Sequence, residues 1–406
     1  MPTATGPRRS ALRVLIAGAG VAGLEALLAL RRLAEERVQI ELLAAETQFW
    51  YRPLAVGEPF GLGAVHGLDL GLVADEVGAG LTLGTLEAVE AEAHVVRTTA
   101  GTELEYDVLL LAVGAHPVEA VPGALTFRGP ADTTRFRALL DEVATGEAQH
   151  VVFALPGGAG WPLPLYELAL QTAARVGESA ADARIVIVTP EETPLELFGP
   201  TAAEAVARLL AERNVEIHER SYPVAFDGER LLLKPNGTIF ADRVIALPRL
   251  EGPEIAGVPS DAHGFIPIDV HARVHGLTEV FAAGDASSFP VKQGGLAAQQ
   301  ADAAAEAIAA MAGAEVTPQP FRPILRGLIL TGGAPLFARA ELTGSGQPFS
   351  AGFDALWWPP GKIAGRFLAP YLAKRSGAIL TPPPAQDAVA VDVELGGTPS
   401  HTVSAA

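Results

Sequence analysis

The sequence predicts an α/β protein with two Rossmann-like units and a small C-terminal domain. Three observations predict it. From Arg13 a strand, a glycine-rich turn, a helix and a second strand follow one another. The same plan returns from His150. Between Pro320 and Arg375 the texture becomes punctuated by Gly and Pro. A chain of 406 residues has room for two or three domains.

The elements follow in order. Arg13 to Ala17 is a short apolar run of buried-strand type. Gly18 to Gly23 is the turn, and a helical pattern runs from Val21 to Leu33. Val38 to Ala44 is the second strand, closed by Glu46. Thr85 to Val89 and His94 to Thr98 read as strands of a small antiparallel meander, with a turn at Gly101. Asp107 to Val113 is a continuous apolar strand that returns to the first sheet. In the second unit, Val151 to Leu155 is a strand and Pro156 to Gly160 a glycine-rich turn. A helix over Tyr166 to Val176, a strand over Arg184 to Thr189, a helix over Thr201 to Arg213 and a strand over Val215 to His218 come next. Leu231 to Leu233, an Asn236-Gly237 turn and Val244 to Leu247 repeat the meander-then-strand pattern. Gly264 to Ala310 returns to strand and helix texture, and the end beyond Leu380 reads as a disordered tail.

Composition narrows the function. Hydrophobic residues make up 49% and charged residues 19%, enough to fill a large core. The net charge of −18 argues against binding nucleic acid through its phosphates. No cysteine is present, which excludes a disulfide scaffold, a thiolate nucleophile, a dithiol relay and an iron–sulfur cluster on the usual Cys set. The nine histidines are scattered, so no metal site is expected. Neither a signal peptide nor a membrane-spanning run is expected.

Gly18-x-Gly20-x-x-Gly23 joins a strand to a helix. The first Gly makes the tight turn, the second admits a pyrophosphate, and the third lets helix and strand pack. Val21 and Ala22 lie in the helix's positive first turn, and Glu46 at the strand tip can accept from ribose hydroxyls. A plain Gly-rich turn between strand and helix is the other reading. The second turn is interrupted, because Trp161-Pro162-Leu163-Pro164 lies where it should run into the helix. The prolines remove donors and the indole adds bulk where phosphates would approach. This makes Gly157, Gly158 and Gly160 a degenerate site. Glu191 after the next strand either binds a ribose, favouring NAD over NADP, or is a surface acid.

With three segments in order, the sequence resembles the two-dinucleotide-binding-domain flavoproteins, the glutathione-reductase-like superfamily. The first segment is Gly18 to Glu46. The second, Thr102 to Ala115 with Tyr106-Asp107 and Ala112-Val113-Gly114-Ala115, is similar to that superfamily's ATG segment. The third, Thr278 to Asp285, is similar to its GD segment. The resemblance implies FAD on the first fingerprint, with Ala112, Gly114, Gly284 and Asp285 beside it. It implies a FAD-binding domain over 10–120 and 262–318, an NAD(P)-binding-like domain over 121–261, an interface domain over 319–380 and a tail over 381–406. Gly23-Leu24-Glu25-Ala26 and Phe49 to Leu54, with Arg52 and Pro53 beside the flavin, are similar to the branch of sulfide:quinone oxidoreductases and type II NADH dehydrogenases. Cysteine-borne sulfide chemistry is excluded here. The AQxAxQ quinone segment is incomplete, since Gly294-Gly295-Leu296-Ala297-Ala298-Gln299 lacks the first Gln. Gly294 and Gly295 start a helix that can face the flavin's C2 carbonyl. Lys292 adds a cation there as the catalytic candidate, or is a solvated loop lysine.

His116 stands near the flavin or is structural, and Trp357-Trp358 forms an aromatic lid, an interface or part of the core. From Gln319 to Ser376 there are seven basic and two acidic residues, leaving −23 on the rest. This part is expected to dock on an acidic surface. A helix with Ile363, Phe367, Leu368, Tyr371 and Leu372 on one face and Lys362 and Arg366 opposite would lie on anionic lipid, or its apolar face packs on the flavin domain or across a homodimer. The expected activity is a cytoplasmic FAD-dependent oxidoreductase, peripheral on the inner membrane face if it docks. It passes hydride or electrons from a small donor, NADH among the candidates, to a quinone-like or other acceptor. The rivals are an NAD-independent flavoprotein with an unknown small donor and a flavin-binding scaffold without turnover.

Overall fold

The computed structural model describes residues 11–376, apart from 64, 180, 181, 236 and 343–348. The expected tail over 381–406 and the Asn236 half of the expected turn lie outside the described residues.

The first unit opens with β1 (Leu12–Ala17), α1 (Val21–Ala34) and β2 (Val38–Ala44). It continues with α2 (Leu70–Val77), β3 (Gly80–Leu83) and β4 (Val108–Leu111). The second unit holds α3 (Thr133–Thr145), β5 (His150–Ala154), α4 (Leu163–Gly177), β6 (Arg184–Val188), α5 (Pro200–Glu212), β7 (Val215–His218) and β8 (Arg243–Ala246). The chain then returns to the first sheet with β9 (Val280–Ala282) and α6 (Gly294–Met311).

Both main sheets are parallel, as their near-continuous apolar strands require. The first has the order β9-β4-β1-β2-β3, with Leu12 opposite Val38 and Val14 opposite Val108. The second has β8-β5-β6-β7, extended by Leu125–Thr126. Small antiparallel sheets, Leu86–Glu90 to Glu103–Glu105 and Tyr222–Phe226 to Thr238–Phe240, hang from each unit. The sequence pattern did not reveal α2, α3 or β3, which join the expected strands.

The C-terminal part is a three-stranded antiparallel sheet, β10 (Ile324–Ile329), β11 (Leu336–Glu341) and β12 (Phe349–Gly352), followed by α7 (Leu368–Arg375). The helix is shorter than the expected amphipathic one. Lys362 and Ile363 precede it, and Pro370 falls in its first turn, where a missing N–H costs no intrahelical bond. Its apolar residues are packed inward: Ile363 and Leu368 are buried, and Phe367, Tyr371 and Leu372 rest on the first unit's core.

Three of the seven basic residues of this part pair with acids of the other units. Lys362 pairs with Glu167, Arg366 with Glu306 at 2.9 Å, and Arg375 with Glu76. Glu25, buried within α1, accepts from the N–H groups of Phe367 at 2.7 Å and Leu368 at 2.8 Å, so it caps the start of α7. A Cβ on Gly365 would lie 2.3 Å from Glu25 Oε2, which fixes glycine there.

Asp302 of α6 faces Glu25, with Glu306 and Arg366 alongside. Burial and the Glu25 charge push the Asp302 carboxyl from 3.8 up to about 8. The native state keeps a proton that the unfolded chain has released, so this group's contribution is lost as pH rises between those values. Asp302→Asn is therefore expected to flatten the fall of melting temperature across that window and to melt above the parent at its alkaline end. Parallel melting curves for the two proteins would contradict this.

Candidate functional site

A cleft of about 690 Å³ runs between the two units and under the C-terminal sheet. Its floor is the first glycine turn. Gly18 has φ +110°, and a Cβ there would meet Ala112 O at 2.3 Å. A Cβ on Gly23 would meet Gly18 O at 1.9 Å, so only glycine lets α1 lie against the turn. Gly20 is different: no protein atom lies within 4 Å of its Cβ position, which opens into free space. Val21 and Ala22 line the cleft, and no described residue accepts from their N–H groups. This is a cradle for a diphosphate.

The other expected residues gather around it. Glu46 lines the cleft and accepts from Trp50 Nε1 at 3.1 Å. Arg52 and Pro53 line it from a single 3-10 turn, and Ala112, Gly114 and His116 line it after β4. Gly284 (φ +80°) is fixed by donating its N–H to Gln300 Oε1 at 2.8 Å. Asp285 faces the cleft, and no described residue donates to its carboxylate. Burial raises its pKa, while the Lys292 charge pulls it back. At the far end, α6 starts at Gly294 and Gly295 with Gln293 as its cap; Gln293 Oε1 accepts from Leu296 N at 2.9 Å. The donor set therefore fits FAD: orphan N–H groups for phosphate, acids for hydroxyls and a helix end for the ring's carbonyl edge.

Lys292 lines the cleft beside Gly294 and is buried, so it is not a solvated loop lysine. Its ammonium donates to Asp285 O at 3.1 Å and to Ser287 O, and lies 3.6 Å from the centre of the Phe265 ring. The carbonyls of Asp285 and Ser287 hold the ammonium in place. Burial lowers its pKa to about 8.

The end of the second glycine turn helps build the cleft, which Ala159, Gly160 and Trp161 line. Gly160 accepts from Lys292 N at 3.0 Å, and a Cβ on it would lie 2.6 Å from Lys292 Cγ. Gly157 stands against the Tyr222 ring, while Gly158 has φ +77° and, like Gly20, no protein atom within 4 Å of its Cβ position. Helix α4 begins directly at Leu163, with Pro162 before it and Pro164 in its first turn. Trp161 packs edge-on against Phe198 at 5.8 Å. Trp161, Leu163, Pro164 and Glu167 line the first cleft. Glu191 is turned inward, in place of either an open ribose acceptor or a surface acid. It accepts from Tyr166 OH at 2.6 Å and Thr189 Oγ1 at 2.8 Å, and burial raises it to about 7.

Two residues that the motif reading missed meet in the cleft. Glu167 and Lys362 form an ion pair with side chains 1% and 7% exposed. Glu167 Oε1 also accepts from Leu330 N at 2.7 Å, and its Oε2 has no hydrogen-bond partner among the described residues. Burial pushes the acid up and the lysine down, and their attraction opposes both shifts. A lone acid in the apolar run Leu163 to Ala169 was the available signal. Gln299, the remnant of the quinone segment, is used as a clamp: it donates to Ile324 O and accepts from Ile324 N, both at 2.9 Å. Trp357 packs on Phe337 at 5.1 Å. His271 and His275 do stand four residues apart, but in irregular chain, and no group of three or more potential metal ligands occurs among the described residues.

A sequence profile of the pyridine nucleotide-disulphide oxidoreductase family matches residues 12–309. NADH dehydrogenase-like proteins of two Mycobacterium tuberculosis strains are 26% identical over 298 residues, covering 68% of this chain and 73% of theirs. The sulfide:quinone oxidoreductase of Aquifex aeolicus superposes with a TM-score of 0.74 at 18% identity, over 84% of this chain and 87% of that one. The ferredoxin reductase of the CYP199A2 system from Rhodopseudomonas palustris gives 0.64 at 20%, over 82% and 83%. The open glycine cradle and the profile match over most of the chain lead to one conclusion: this protein belongs to the pyridine nucleotide-disulphide oxidoreductase family and is an FAD-dependent oxidoreductase.

Proposed function

We propose that this enzyme moves electrons between a small donor and a quinone-like or other small acceptor at the flavin, with NADH a poor donor. The observation that carries this reading is the second glycine turn, which packs on Lys292 and lacks the N–H groups of Pro162 and Pro164. Bound FAD supplies the electron-accepting and electron-donating ring. The protein's own residues orient it and hold charge around it. Gly18, Gly20 and Gly23, with the Val21 and Ala22 N–H groups, take the diphosphate, while Glu46 and Asp285 accept from hydroxyls. Gly294 and Gly295 present the start of α6 to the charge that reduction places on the ring. Lys292 acts as a positioning residue for the Asp285 loop. Glu167, buried beside Lys362 with one oxygen unbonded, is the acid–base group that takes or gives the substrate proton.

NADH as the physiological donor is the second reading, favoured by the NADH dehydrogenase-like relatives. The division at 10–120 with 262–318, 121–261 and 319–380 is proposed with the same account, supported by the two parallel sheets and the separate C-terminal sheet. A cytoplasmic location is proposed with the same account. No helix among the described residues is long and apolar enough to cross a membrane. Contact with its inner face, or with a second copy through 319–376, would have to use exposed side chains such as Phe353, 59% exposed, since the expected apolar face is buried.

Anaerobic titration with NADH and NADPH tests the reading. Slow, incomplete flavin bleaching by NADH and less by NADPH is expected; rapid saturable reduction by either contradicts it. Gly20→Val is expected to fold, because no protein atom meets its Cβ, and to lose FAD, because the branched side chain fills the diphosphate space. Retention of flavin by that variant would move the cofactor elsewhere. Glu167→Gln is expected to keep the flavin and slow quinone reduction by roughly tenfold or more, the scale of a lost general acid. Unchanged quinone kinetics would remove Glu167 from the chemistry.

A further inference from the structure

Among the cleft's basic side chains, Arg326 is distinctive. It projects from β10 on the same face as Leu328, and both line the cleft. No described residue accepts a hydrogen bond from its guanidinium. The residue directly across the sheet is Arg339, which repels it; Arg339 is engaged by Glu341 at 2.6 Å. Burial and Arg339 lower the Arg326 pKa, and the charge of Glu341, which is hydrogen-bonded to Arg339 and not to Arg326, opposes them. The other cleft cations are differently placed: Lys362 is neutralised by Glu167, Lys292 is held by loop carbonyls, Arg128 lies 3.9 Å from Asp132, and Arg52 is exposed.

The position of Arg326 is fixed from both sides. Its carbonyl accepts from Gln293 Nε2 at 3.1 Å, and Gln299 holds Ile324 two residues earlier. The strand is thereby stitched to the first turns of α6, beside the flavin site. A half-buried guanidinium facing a second arginine is costly without a counter-charge. Glu341 is shared between two arginines and hydrogen-bonds only Arg339, so a bound anion would supply the partner that the Arg326 guanidinium lacks.

We infer that Arg326 selects small redox substrates that carry a carboxylate or sulfonate, gripping that group while the substrate stands at the flavin. This rests on the proposed reading that a small substrate enters this cleft, and it adds the chemical class of that substrate.

Isothermal titration of the FAD-loaded protein with naphthalene-2-carboxylate and its neutral carboxamide tests it without turnover. The parent is expected to bind the acid roughly tenfold tighter than the amide, as one charge-assisted pair requires. Salt should weaken only the acid. Arg326→Gln should abolish the preference, and Arg326→Lys should keep part of it. No preference in the parent, or an undiminished preference in a flavin-loaded Arg326→Gln protein, overturns the inference. A changed flavin midpoint potential with an unchanged preference assigns the arginine to the flavin instead, and also overturns it. The parent preference alone decides if the glutamine variant fails to load FAD. Reoxidation of the photoreduced flavin by a neutral naphthoquinone reads the proposed function separately, so failure of that reaction and loss of the acid preference are distinct results.

Discussion

The site depends on one constraint: two helices, α1 and α6, begin at the same cleft with backbone N–H groups that no described residue satisfies. Orphan donors at a helix start seek an anion or a carbonyl. The glycines fix this arrangement. Gly18 and Gly23 bring turn and helix into contact, and Gly284 lies with its Cβ position 3.2 Å from Ala22 and 3.4 Å from Ala297. Larger side chains at Gly18 or Gly23 would force the helix away from the strand and with it the donors.

A second constraint holds the C-terminal part over this site. Three of its basic residues, Lys362, Arg366 and Arg375, pair with acids of the other units. The exposed Arg375–Glu76 pair is worth little, as exposed ion pairs generally are. The buried Glu167–Lys362 pair is a different matter, because removing either partner strands a charge inside the cleft wall. Glu25 adds a directional contact, since its two oxygens accept consecutive N–H groups at the start of α7. Part of the charge asymmetry of the sequence thus serves an internal interface.

Much of this was legible in the residues. The strands around Gly18 and Gly160 were readable because apolar runs end in glycine turns. The first fingerprint was readable because three glycines have three separate steric jobs. The fate of Lys292, Glu191 and Lys362 was not readable, for a common reason. Each side chain's role is set by a partner far away in sequence or by a turn of the chain that no periodicity encodes: Asp285 and Ser287 carbonyls for Lys292, Tyr166 for Glu191, Glu167 for Lys362. The helices α2 and α3 were missed because short, half-exposed elements leave only a weak apolar pattern. The amphipathic reading of 363–372 failed at its polar face, where Lys362 and Arg366 turned out to be ion-paired to the other units.

The central claim is that the first dinucleotide turn is an open cradle and that the second, whose Gly160 end is part of the cleft wall, takes no nucleotide. Hydrogen–deuterium exchange on the full chain tests it most directly, first with FAD added to the apoprotein and then with NADH added anaerobically. The account predicts that FAD protects Gly18 to Gly23 and Gly284 to Gly295, and that NADH adds no protection at Gly157 to Gly160 or around Glu191. Strong NADH-dependent protection of that second turn, or none by FAD at the first, would contradict it.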